Sequence, residues 1–326
     1  MKAPAATSEL NGVLVTHPKR VVFPEDDVTK QDIANYYDAV MRWFLPGVQD
    51  RPTSVFRFPE GLAEAGFFQK HPMRGLRRVG NVRLREESGK LDDYLCPADA
   101  SAIIELVQYG SIEFHPWASR AKALEQPDYL VFDLDPGPGV VWREVIEAAR
   151  WVRDRLAKAA LKSFVRTSGG KGLHVLVPLH GSCQWEDASG FSSAFAHQLA
   201  SDRSDGYTAT SVMSERKGRI FIDYLRNTRG ATSVASLSLR ARAGAPVAMP
   251  LRWEDLGRCT SGHAFDIHNT PPRLSRLRSD PWEGFATMRQ SLEQAMRVYG
   301  ASKDQPIPGS GRSSKASRRP RAGERK

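Results

Sequence analysis

The chain has 326 residues, 40% apolar and 26% charged, enough length and hydrophobicity for one large core or two smaller ones. No run approaches the roughly 18 consecutive apolar residues of a membrane span, and the opening MKAPAATSELNG lacks the apolar centre of a secretory leader, so a cytoplasmic protein with no membrane partner is expected. The formal net charge of +10 favours a polyanionic partner, but +6 of it falls in residues 301–326, so the case for nucleic acid must rest on particular residues of a mildly basic body.

Residues 1–12 are expected to be disordered. Thr29 is placed to cap a helix through DIANYYDAVMRWFL, with Ile33, Tyr36, Tyr37, Val40 and Phe44 on its apolar face and Pro46-Gly47 as its stop. Amphipathic helices are predicted over 101–109, 141–159 and 186–200, the second burying Val141, Val145, Ala149, Val152 and Leu156. Short β-rich apolar runs at 129–134, 163–166, 173–178 and 219–225 read as strands. Together they make a mixed α/β chain with no dividing linker over residues 13–295. Cys96, Cys183 and Cys259 stand far apart and match no zinc spacing, so they are expected to be reduced structural thiols. The tail over 301–326 reads as a disordered basic arm, solubilising, phosphate-binding or both.

The strongest local feature is DYLVFDLDPGPG over residues 128–139. Side chains at i and i+2 of a strand share a face, so Asp133 and Asp135 point one way and Leu134 the other. Like charges held close raise a pKa or demand a cation, and hard oxygens suit Mg²⁺ or Mn²⁺; a simple turn start at PGPG would also use an aspartate. Asp223, inside the apolar run RIFIDYL, adds weight to the metal reading, because a buried carboxylate needs a partner. Arg219 or Arg226 is the plain choice, and a metal shared with Asp133 and Asp135 is the functional one. Three carboxylates from two strands form a minimal set for two ions in phosphoryl transfer.

The segment FVRTSGGKGLHVLV reads as strand, tight loop, strand. Gly169, Gly170 and Gly172 permit positive φ and close approach of backbone N–H groups to an anion. Ser168, Lys171 and His174 add a hydroxyl, an ammonium and an imidazole toward a triphosphate. No Walker motif is present, and taken alone the segment better suits a plain Gly-rich hairpin turn with a solvated lysine. Phe67-Phe68, beside Gln69-Lys70-His71, reads either as core or as a base-stacking platform.

In order, DLDPGPG, TSGGKGLH and GRIFIDYLRN resemble the three catalytic motifs of the archaeo-eukaryotic primase superfamily. The resemblance is closer to the polymerase domain of bacterial ATP-dependent DNA ligase D, and it extends through THPKRVVFPEDDVTKQDIANYY, GFFQKH, IEFHPWASR and SLRARAGAPVAMPLRW, over about residues 10–295. It implies a primase-polymerase fold, in which a central β-sheet flanked by helices carries the catalytic core. It also implies a two-metal nucleotidyltransferase that extends a primer at gaps and breaks in non-homologous end joining, with Mn²⁺ or Mg²⁺ on Asp133, Asp135 and Asp223. Ser168, Lys171, His174, Arg240 and His115 are the implied nucleotide contacts. Lys30, with Arg20 or Lys19, is implied to hold a 5′-phosphate, and Phe67 and Phe68 to stack on the template. Ribonucleotide preference, Ku and a DNA ligase as partners, and nucleoid association are further implications. A de novo primase and a catalytically silent DNA-end-binding module are the rival readings.

Overall fold

The computed structural model describes residues 7–86, 88–179 and 183–300, and its elements grow from short apolar runs bounded by turn residues. The N-terminal half carries strands β1 (Thr7–Leu10), β2 (Val13–Thr16), β3 (Val21–Phe23) and β4 (Val28–Thr29) before helix α1 (Lys30–Val48). Strands β5 (Thr53–Arg57), β6 (Phe67–Gln69), β7 (Gly80–Arg85) and β8 (Leu91–Cys96), helix α2 (Ala100–Gln108) and strand β9 (Ser111–Pro116) follow. The C-terminal half carries β10 (Tyr129–Pro136), α3 (Trp142–Lys158), β11 (Phe164–Thr167), β12 (Leu173–Pro178) and α4 (Trp185–Asp202). It ends with β13 (Tyr207–Thr208), β14 (Ile220–Asp223), β15 (Pro250–Leu251), α5 (Thr270–Ser275) and α6 (Glu293–Tyr299).

Six strands form the central sheet in the order β13-β14-β10-β12-β11-β15, antiparallel except for the β13–β14 pair. Alternation along β10 sorts its side chains between two faces. Leu130, Phe132 and Leu134 enter the main core, where Phe132 meets Phe195 of α4 with ring centroids 4.9 Å apart, and α3 packs on β10 and β12. Tyr129 and Val131 turn to the opposite face, into a smaller cluster with Leu176 and Trp117. Asp133 and Asp135 continue that second face. A separate three-stranded sheet, β6-β5-β9, is backed by α1 and α2.

Several expectations need correction. Residues 7–12 are not disordered: β1 pairs with β2 across Asn11-Gly12, whose φ values of 49° and 72° suit a tight hairpin turn. Residues 1–6 and the tail 301–326 lie outside the described residues. Helix α1 runs through Pro46-Gly47 to Val48; Pro46 sits in the last turn, where its missing N–H removes a single bond, and the Gln49 N–H closes on the Leu45 carbonyl at 2.8 Å. Val141 is not buried but 58% exposed, because it precedes the first helical residue and turns off the apolar face of α3.

Thr29 caps α1 as expected, accepting from the Asp32 N–H while Asp32 accepts from the Thr29 N–H. This cap also fixes Lys30 at the first helical position. Thr29→Ala is expected to lower stability by about 1 kcal/mol and Thr29→Ser to leave it nearly unchanged, as read from urea denaturation midpoints.

Candidate active site

Strand register assembles the site. Asp133 lies opposite Asp223 of β14 on one side and His174 of β12 on the other, and His174 lies opposite Arg166 of β11. Four neighbouring strands thus present a row, Asp223–Asp133–His174–Arg166, on one face of the sheet. Arg166 donates its Nε–H to His174 Nδ1 at 3.1 Å, which leaves the His174 proton on Nε2, 3.4 Å from Asp133 Oδ1. Burial pushes the His174 imidazole down despite the neighbouring carboxylate, so it serves as a neutral donor. Burial pushes the Asp133 carboxyl up, but His174, with Arg226 and Arg240 behind it, outweighs this and holds it below the usual range. For Asp135 and Asp223 the balance reverses: burial first, and the Asp133 charge second, raise both.

Two of the three carboxylates already hold a guanidinium. Arg216 meets Asp135 at 2.9 Å, and Arg226 meets Asp223 at 3.4 Å. Of the two arginines proposed from sequence as plain partners of Asp223, Arg226 is therefore the one that pairs.

The TSGGKGLH loop joins β11 to β12 at the same end. Among its glycines only Gly169 has positive φ, at 66°. Gly172 is required for a different reason: a Cβ there would lie 2.1 Å from the Leu134 carbonyl oxygen, so only glycine lets the loop lie against β10. Ser168 is buried, and its hydroxyl accepts from the N–H groups of Gly170 and Gly172 at 3.1 and 3.2 Å, so it shapes the loop. Lys171 is exposed at its tip. Arg240 donates to the Ser168 carbonyl at 2.7 Å and to Glu113 at 2.9 Å, and Glu113 also meets His115 Nε2 at 2.8 Å. Glu113 and His115 belong to β9, so this buried chain ties the smaller sheet to the loop.

Phe67 and Phe68 are 45% and 60% exposed, which removes the core reading. Phe68 stacks on Phe56 at 4.6 Å and sets its edge toward His115 at 5.3 Å. Arg57 lies over the Phe67 ring and also lines a cavity of about 230 Å³ with Lys30, Arg20 and His17. Lys19 is absent from that lining, which separates the two residues left open by sequence. Lys30 donates to the Thr16 carbonyl at 3.0 Å and to Gln108 at 2.7 Å, and burial, then the Arg20 charge, lowers its ammonium to about 8.

A family model, LigD primase-polymerase domain, matches residues 29–282. The chain belongs to this family. The multifunctional non-homologous end joining protein LigD of Pseudomonas aeruginosa is 37% identical over 300 residues, covering 90% of this chain and 35% of that protein. The bifunctional non-homologous end joining protein LigD of Bacillus subtilis is 25% identical over 269 residues, covering 80% of this chain and 43% of that protein. The chain thus spans less than half the length of these relatives. The polymerase domain from Mycobacterium tuberculosis Ligase D, solved in complex with DNA, has a TM-score of 0.78 and 28% identity, covering 85% of this chain and 99% of that one. The mixed α/β fold with a helix-flanked central sheet is therefore that of a LigD polymerase domain.

Within this LigD-family site, the donor set suits hard divalent ions: three carboxylates share one face, and two of them are raised by burial and by repulsion. Arg216 and Arg226 stand where positive charge is demanded. The three carboxylates are not drawn within 4.8 Å of one another; among the described residues His71, Glu86 and Asp92 are, but Lys70, Tyr94 and Lys90 already hold those acids. Sequence reasoning missed Arg166, Glu113, Arg216 and Arg57. Arg166 was signalled by its place two residues before Ser168 in an otherwise apolar strand, and Glu113 by its position two residues before His115 on β9. Gly172→Ala is expected to destabilise the fold by about 2 kcal/mol or more, through the backbone clash. Gly206→Ala, where nothing lies within 4 Å of an added Cβ, is expected to change denaturant midpoints little.

Proposed function

We propose that this chain is a DNA-templated nucleotidyltransferase that extends a primer 3′-hydroxyl with nucleoside triphosphates, ribonucleotides included, at gaps and breaks. The observation that carries this reading is the set of three carboxylates on one sheet face beside the glycine-rich loop that carries Lys171. Asp133, Asp135 and Asp223 would hold two Mn²⁺ or Mg²⁺ ions, which when bound would acidify the attacking hydroxyl and neutralise the pyrophosphate that leaves. His174 orients Asp133 through its Nε2–H, as ligand partners commonly do. Lys171 and Arg240 receive the triphosphate at the loop whose shape Ser168 holds through the Gly170 and Gly172 N–H groups. His115, braced by Glu113, supports the nucleotide's other side next to the Phe67-Phe68 platform, on which an unpaired template base stacks.

The cavity around Lys30 and Arg20 takes the 5′-phosphate on the far side of a gap. Three features support this: a cationic lining, partial burial that strengthens charge interactions, and a lysine at a helix start, where the dipole gives it no advantage. Similarity to LigD proteins supports a role in non-homologous end joining, and Ku and a DNA ligase in a bacterial cytoplasm are the partners this reading calls for.

The direct test is extension of a primed, 5′-phosphorylated gapped DNA with ribonucleotides and Mn²⁺. Wild type should add the templated nucleotide, and Asp133→Ala should fall to background. Binding of the gap by both proteins with extension by neither would mean a silent end-binding module. His174→Ala is expected to lower extension by about 10–100-fold, the usual cost of losing a group that orients a metal ligand. Preference for a 5′-phosphorylated over an unphosphorylated gap should decline as pH rises above about 8, where Lys30 loses its charge. A bound phosphate will move that decline upward, and Lys30→Met should show a weak preference with little dependence on pH.

A further inference from the structure

A second cavity, of about 390 Å³, opens at the other end of the same sheet face, within the size range of small-molecule sites. Tyr129 of β10 lines it, four residues and so about 13 Å along the strand from Asp133. Trp282 and Phe285 complete an aromatic wall with Tyr129, their ring centroids 4.9 Å apart and Phe285 6.1 Å from Tyr129.

The charge around this cavity is unbalanced. Six Lys and Arg side chains line it against two aspartates. One of these, Asp128, already answers two guanidiniums: Arg51 at 2.6 Å and Arg120 at 3.5 Å. Arg166 has no acid partner of its own among the described residues. Only 3% exposed, it reaches the Ser236 hydroxyl at 3.1 Å on the cavity side and His174 on the other. A buried guanidinium without a counter-ion is costly, and this one faces a space large enough to hold an anion.

We propose that this cavity is a second nucleotide site, which takes a nucleoside monophosphate unit with its base at the Tyr129–Trp282–Phe285 wall and its phosphate toward Arg166 and Ser236. A flat ring suits the aromatic wall, and a phosphate supplies the counter-charge that Arg166 lacks. The unit is either a free mononucleotide or the terminal nucleotide of a strand. This site touches the proposed polymerase centre only through Arg166, which also holds His174; it uses none of the three carboxylates and neither Lys171 nor Arg240.

Calorimetric titration of the full chain with AMP, adenosine and inorganic phosphate, in EDTA, tests the assignment. AMP should bind at least tenfold more tightly than adenosine or phosphate. Trp282→Ala and Arg289→Glu, both on the cavity wall, should weaken it at least tenfold, while Asp133→Ala and Lys171→Ala change it less than twofold. Arg289 is exposed, and among the described residues its side-chain hydrogen bonds go to the nearby Ala286 and Met288 carbonyls, so its variant remains decisive even if Trp282→Ala fails to fold. A 5′-phosphorylated trinucleotide binding no better than AMP identifies the free mononucleotide, and tenfold tighter binding identifies a strand end. The assignment is overturned if wild type shows no saturable AMP binding, or if Lys171→Ala abolishes binding while Arg289→Glu preserves it.

Discussion

Asp133 is held between a carboxylate and an imidazole, and strand register alone decides this. The antiparallel pairing of β10 with β14 and β12 sets Asp223 on one side and His174 on the other. A one-residue slip would turn the whole set into the core and bring Leu134 to the surface. The register is secured from the opposite face, where Leu130, Phe132 and Leu134 are fully buried against the helices. Facing like charges across strands are unfavourable, and partial burial adds to that cost. The sheet therefore carries a locally destabilised row on one face that strong packing on the other sustains, an arrangement typical of places where charge has a task.

Positive charge gathers around this row at several distances. Arg216 and Arg226 touch the outer carboxylates, Arg166 acts through His174, and Arg240 reaches over the loop. The Arg240–Glu113–His115 chain has a second consequence, because it crosses from the central sheet to the smaller one. The loop that would receive a triphosphate, the histidine beside it and the exposed Phe68 edge are thereby linked through short contacts. A site braced this way on strands keeps its geometry better than one assembled from loops alone.

Much of this was legible in the residues. The four central strands, the four longer helices and the Thr29 cap follow from periodicity and cap chemistry, and the shared face of Asp133 and Asp135 follows from a period of two. The meeting of Asp133 with Asp223 does not, because it depends on which strands pair and in what register, a long-range outcome that local spacing does not encode. Arg166 and Glu113 escaped for a related reason: each is a charged residue inside an apolar strand, and its partners come from elsewhere in the fold. The N-terminal hairpin was legible but overlooked, since Asn11-Gly12 between short β-forming runs is a strong turn signal. The exposure of Phe67 and Phe68 required knowing that β6 is an edge strand.

The central claim is that these carboxylates are assembled at a cost to the fold in order to hold divalent cations. Thermal unfolding of wild type and Asp223→Asn, with and without Mn²⁺, tests it most directly. Asp223 is raised above the ordinary carboxylate range by burial and by Asp133, so at neutral pH its charge opposes folding, and the neutral variant should melt higher than wild type in EDTA. Adding Mn²⁺ should then raise the wild-type midpoint and leave the variant's nearly unchanged. A variant that melts lower than wild type in EDTA, with Mn²⁺ shifting neither protein, would contradict the account.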